Sequence, residues 1–132
     1  MDAFQALQVS GSGMAAERLR LDVIAANIAN LQSRNPQGNG PYAQELTLLF
    51  QVPGYGSGVT AQVVQDQRPQ SFPMVYDPTS PYANAAGYVT LSNVDLATQM
   101  TDALEAAQAY QANVNAYATS RQMESYALQK MG

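Results

Sequence analysis

The chain has 132 residues, a net charge of −4 and no His, Cys or Trp; its length suits one domain at about 100–200 residues each. Its six Lys and Arg residues are scattered, which argues against nucleic acid, because phosphate binding needs clustered cations. The lack of Cys removes disulfides, thiolate metal sites and Cys nucleophiles, and a charged fraction of only 12%, against about 25% in ordinary soluble proteins, fits equally a surface covered by other subunits and a neutral, somewhat sticky monomer.

The first zone, residues 1–31, reads as a helix. Leu7, Met14, Leu21 and Ile28 recur every seven residues, and Phe4, Ile24 and Leu31 fill the adjoining row. Ser10 to Gly13 interrupts this pattern with two glycines, so either the helix kinks there or a neighbour packs very close. Asn27 and Asn30 flank the stripe. Asn30 suits a helix end, whereas Asn27 sits a full turn inside, where a lateral hydrogen bond to a neighbouring subunit is expected. Asp2 stands where a secretory signal carries positive charge, and no stretch reaches the about 20 apolar residues of a membrane span. Neither membrane insertion nor a cleaved signal is expected.

The second zone, residues 32–92, opens with Pro36, Gly38, Gly40 and Pro41, which is loop chemistry. Leu46, Leu48, Phe50 and Val52 then alternate on one strand face, and Val59, Ala61 and Val63 on another. These segments form a hairpin that must lie against helices, because a lone hairpin is marginal in water. The stretch holding Pro69, Pro73, Pro78 and Pro81 reads as extended loop, closing on a short strand from Tyr88 to Leu91.

The third zone, residues 93–132, is a second long helix. Leu96, Met100, Ala103, Ala107, Tyr110, Val114 and Tyr117 step at three and four; Leu128 and Met131 resume the stripe after Arg121 and Glu124. Asp95 is placed as the helix N-cap. Alanines all round the helix allow close approach by more than one partner. Gln99, Gln108, Gln111, Asn113 and Asn115 offer amide hydrogen bonds, which salt weakens less than ion pairs. The fold class is therefore mainly α: two long terminal helices paired as a coiled-coil-like hairpin, with a small β-hairpin and loop-rich middle. One stripe per helix buries too little to order both ends, so the termini are expected to fray in a free monomer and fold on assembly.

"RLDVIAANIAN" and residues 93–117, "NVDLATQMTDALEAAQAYQANVNAY", resemble the paired end motifs of bacterial flagellar axial proteins: rod, hook and hook-associated subunits. "GPY" at 40–42, "VYDPTSPYANAAGYV" at 75–89 and the short length are most similar to the proximal rod proteins of the basal body, the C-type rod subunits. The resemblance spans nearly the whole chain. It departs at Ala43 and Gln44, at Gln108, where basic residues are usual, at Ser80, where His is usual, and at Ser92, where Pro is usual.

The resemblance implies a structural subunit of the flagellar rod, a torque-transmitting shaft that crosses the periplasm. It implies export by the flagellar type III apparatus and helical assembly with copies of itself, other rod proteins, the basal-body adapter protein and the MS-ring protein. No cofactor is expected. The candidate subunit interface comprises Leu7, Met14, Leu21, Ile24, Asn27, Ile28 and Leu31 in the first helix. In the second it comprises Met100, Leu104, Ala107, Tyr110, Gln111, Asn113, Val114, Tyr117 and Leu128.

An enzyme is a poor reading, since Ser nucleophiles lack their usual His base. Asp102 and Glu105 share a helix face, but carboxylates near a helix start are ordinarily exposed dipole partners. Two rivals stay open: another flagellar axial subunit, and a coiled-coil adaptor of a type III secretion system. An adaptor has no need of the structured excursion over residues 68–92.

Overall fold

A computed structural model describes residues 3–33, 40–54 and 56–131. Pro36 and Gly38, read above as loop, lie outside the described residues. Helix α1 spans Ala3–Ala29 and α2 spans Leu96–Met131. At about 1.5 Å per residue they are about 40 and 54 Å long. They run antiparallel side by side: Asn27 bonds Gln99, and fourteen residues on in each helix Gly13 faces Asn113.

Strands β1 (Glu45–Gln51) and β2 (Val59–Gln65) form the expected antiparallel ribbon, with Glu45 opposite Gln65 and Gln51 opposite Val59. It lies against α1: Ser12 Oγ accepts from Val59 N–H, and Gly58 abuts Ser12 and Val9. The face carrying Thr47, Val59 and Ala61 is turned to the helix, and Thr47 Oγ1 is buried without a hydrogen bond. Leu46, Leu48 and Phe50 do share a face, as expected, but it is the outward one, 39–47% exposed.

The proline-rich stretch is more ordered than its composition suggests. After a 3-10 turn at Pro69–Ser71, β3 (Met74–Tyr76) pairs with β4 (Tyr88–Thr90) as a second ribbon. The expected loop is thus a strand between Pro73 and Pro78, which leave residues 74–76 with every N–H available. Gly87 has φ +85°, and a Cβ there would lie 2.9 Å from the Tyr76 ring, so the turn requires glycine. Val89 points inward, 1% exposed.

The helices meet through small and polar residues. Buried in α1 are Ser10, Ala16, Glu17, Val23, Ile24 and Asn27; in α2, Gln99, Ala106 and Ser120. Helix α1 runs unbroken through Ser10–Gly13. The glycine there serves close packing, not a kink: a Cβ on Gly13 would stand 2.8 Å from the Asn113 amide. Asp95 immediately precedes α2; its carbonyl accepts from Gln99 N–H and its carboxylate from the Thr98 hydroxyl at 2.6 Å.

Candidate assembly surface

Before any surface can present itself, the three parts of the chain must be fixed to one another. A polar junction does this. Asn27, 1% exposed, uses its whole amide. Nδ2 donates to the Glu45 carbonyl (2.8 Å) and to Gln99 Oε1 (3.1 Å), while Oδ1 accepts from Glu45 N–H (2.9 Å) and the Tyr42 hydroxyl (3.0 Å). Asn27 thus pairs with both backbone groups of Glu45, as a neighbouring strand would, and ties β1 to α1 and α2. Burial, then the Glu45 carboxylate, push the Tyr42 phenol above its ordinary value. The lateral hydrogen bond expected of Asn27 is therefore corrected: its donors and acceptor are satisfied within the chain.

Alongside, Asn93 accepts from Gln44 N–H (2.6 Å) and donates to the Asp66 carbonyl and Ser71 Oγ. Asp66 is buried and receives the Arg68 guanidinium at 2.8 Å twice and Gln44 Nε2 at 3.2 Å. The Arg68 hydrogen bond holds the Asp66 carboxyl well below the usual carboxylate range. Gln44, Asp66 and Asn93 were missed from sequence. The only local signal was Asp66 two residues from Arg68, and the other links join residues 22 to 49 apart.

Helical geometry sorts the remaining interface residues. At about 100° per residue, Leu7, Met14, Leu21 and Ile28 stand roughly a third of a turn around α1 from the row that meets α2. Ser12, which meets the ribbon, is displaced the other way. In α2, Leu96, Met100, Leu104, Ala107 and Gln111 are displaced from the Gln99–Ala106–Asn113–Ser120 row in the same rotational sense. Because the helices are antiparallel, both rows emerge on one side of the pair, opposite the ribbon.

That side is open. Met100 and Leu104 are 60% and 62% exposed, Ile28 is exposed, and Leu7, Met14, Leu21 and Val114 are half-buried. Ala107 and Gln111 are exposed, with Gln111 bonded to Asn115 along the helix. By contrast Ile24 is buried in the helix seam, and Asn113 packs over Gly13 while donating to the Ala109 carbonyl. Tyr110 is half-buried and Tyr117 partly exposed at the seam's edge; Leu31 is half-buried beyond α1, and Leu128 is exposed near the end of α2.

Glu105 lies 3.7 Å from Arg20, which also pairs with Glu17 at 3.5 Å, so it ties the helices together instead of acting with Asp102. Among the described residues no cluster of His, Cys, Asp or Glu fits a metal ion, and no helix is long and apolar enough to cross a membrane.

A long helix pair with an open apolar side and a ribbon on its back is a part made for packing, and comparison with known proteins names the company it keeps. A family model described as flagella basal body rod protein matches residues 7–35, and one described as flagellar basal body rod FlgEFG protein C-terminal matches residues 85–130. The flagellar basal-body rod protein FlgC of Bacillus subtilis is 36% identical, covering 98% of each chain. That of Aquifex aeolicus is 33% identical over 93% of this chain and 92% of its own. That of Salmonella typhimurium is 37% identical over 87% of both. With this identity over almost its full length, the chain belongs to the FlgC family of flagellar basal-body rod proteins.

Proposed function

We propose that the chain is a structural subunit of the proximal rod, which assembles helically with copies of itself and other rod proteins into the drive shaft of the basal body. The basal-body adapter protein and the MS ring are its further neighbours, and the flagellar type III apparatus exports it. The observation that carries the assembly reading is the open apolar side of the helix pair, Leu7, Met14, Leu21 and Ile28 beside Met100 and Leu104. Among the described residues, large apolar side chains are exposed at twenty positions, while the buried apolar core has six members: Ala16, Val23, Ile24, Val89, Val94 and Ala106. Most of the burial this chain can offer thus awaits a partner. The role is mechanical, with no catalytic group in it.

The test is incorporation into purified basal bodies. A Leu104→Asp variant should retain monomer helicity and be excluded from the rod, since an unpaired carboxylate in a closed apolar contact is costly. Crosslinking should place residue 28 against residue 114 of a neighbour. A Leu104→Asp chain incorporated at the wild-type level would overturn the reading.

A further inference from the structure

A carboxylate sits at the edge of the open apolar side. Glu17 lies four residues after Gly13 and four before Leu21, so at about 100° per residue it stands about 40° around α1 from each. Gly13 marks the seam with α2, and Leu21 belongs to the open row. The Glu17 side chain is only 10% exposed. Its Oε2 is fully covered and makes no hydrogen bond among the described residues.

The nearest cation does not satisfy it. Arg20 stands 3.5 Å from Glu17 and 3.7 Å from Glu105, so one guanidinium is stretched between two carboxylates on different helices. Both separations exceed the about 2.7–3.2 Å of an N–H···O hydrogen bond. Two carboxylates and one guanidinium leave a formal surplus of negative charge. Glu105 is 66% exposed and meets water, whereas Glu17 is covered. A covered carboxylate is costly unless further donors reach it. The seam closes the Gly13 flank of Glu17, which leaves the Leu21 flank for approach. By the register of Gly13 on Asn113, Glu17 is level with about residue 109. Met14 and Leu21 on α1 and Tyr110 and Val114 on α2, all half-buried, therefore ring the position. A charged group inside an apolar ring that excludes water is the usual setting of an interface hot spot.

Resting on the rod-subunit reading, we infer that Glu17 is a socket for an arginine of a neighbouring rod subunit of a different kind, whose guanidinium crosses the open apolar side and donates to the carboxylate. Arginine suits the socket because its planar fork matches a carboxylate with two parallel bonds and is weakly hydrated. Charge disfavours a second copy as the donor. The chain has ten acidic residues against six basic ones, so a copy brings the same acidic surplus to the contact, and a basic surface is the complementary one. Leu21, Met100 and Leu104 supply apolar area to any neighbour, while Glu17 selects which neighbour docks.

Glu17→Gln keeps the shape and removes the charge. Monomer melting should be unchanged or raised, because a covered carboxylate without a hydrogen bond is gone, and incorporation into basal bodies should fall at least tenfold. Incorporation at the wild-type level overturns the socket. A fall in monomer melting together with incorporation also overturns it, since the carboxylate would then be an internal tie between α1 and α2. The photo-crosslinking residue p-benzoylphenylalanine in place of Leu21 identifies the occupant in purified basal bodies. An adduct with another rod protein is expected; an adduct with this chain alone, or none, overturns the assignment. Absence of the wild-type chain from basal bodies removes the rod reading and the socket together. Exclusion of Leu104→Asp with admission of Glu17→Gln removes the socket alone.

Discussion

Replacing Asn27 by Ala tests whether the polar junction is what fixes the ribbon to the helix pair. The side chain is buried and makes four hydrogen bonds of 2.8–3.1 Å. At about 1 kcal/mol net each, their loss amounts to about 4 kcal/mol. Glu45 is only half-buried, so water can re-solvate part of what is orphaned, and about 3–4 kcal/mol is expected. That is a large share of the about 5–15 kcal/mol that holds a typical domain. Urea unfolding followed by far-ultraviolet circular dichroism reads the loss as a shift in midpoint. Asn115→Ala is the control: its carbonyl accepts from Gln111 on an exposed face, so a change below about 0.5 kcal/mol is expected. Gln99→Ala should be strongly sub-additive with Asn27→Ala, because the two share a bond. A loss under about 1 kcal/mol for Asn27→Ala would refute the reasoning, showing that the junction is re-formed by water or by shifted neighbours.

Gly11→Ala should stabilise α1 by about 0.5–1 kcal/mol in thermal melts, since a Cβ there meets nothing within 4 Å. Gly13→Ala should give no such gain while Asn113 is present and should recover it in the double variant with Asn113→Ala; additive effects in that cycle would contradict close packing at this point. Asp95→Ala should lower stability by about 1 kcal/mol through loss of the carboxylate that stands before α2 and accepts from the Thr98 hydroxyl, checked by the shift in melting temperature. Asp66 has a folded-state pKa below its unfolded value of about 3.9, so its contribution is present above about pH 4 and is lost as pH falls further. Asp66→Asn should therefore flatten the acid limb of the stability profile, and an unchanged limb would remove Asp66 from the acid response.

The helices and the first ribbon were legible because each rests on a period the backbone imposes: three to four for Leu96 to Tyr117, two for Leu46 to Phe50. What the period does not carry is which neighbour each row meets. The heptad row Leu7–Met14–Leu21–Ile28 is the most regular feature of α1, yet the intrachain seam runs through Ser10, Gly13, Ala16 and Asn27. Hydrophobic periodicity marks the face that gains most from burial, and that face need not be buried within one chain. Asn27 was legible as a residue out of place, but its partners Tyr42, Glu45 and Gln99 lie 15 to 72 positions away, beyond any local pattern. Of the second ribbon, β4 was read as the short strand from Tyr88 to Leu91, while β3 was hidden by Pro73 and Pro78, which flank it without interrupting it.

The distribution of polarity links these findings to assembly. In an ordinary monomer the seam between two helices is apolar and the outer faces polar. Here amides, hydroxyls, a carboxylate and glycine share the buried side of the helices with Ala16, Val23, Ile24 and Ala106, and many Leu, Met and Tyr side chains face outward. Hydrogen bonds require defined partners at defined distances, so a polar seam fixes register while adding little net stability. Apolar burial is less particular about direction and scales with area. Register is thereby settled inside each subunit, and on the proposed reading most of the stabilisation comes from contacts between subunits. On the proposed rod-subunit reading, a chain arranged in this way should unfold readily when alone and become rigid once its neighbours arrive. The corresponding measurement is hydrogen exchange: amides of Met100 to Tyr117 should exchange at least a hundredfold more slowly in assembled rods than in dilute monomer. Equal protection in both states would mean that the intrachain seam alone supplies the rigidity, and the division of labour argued from it would fall.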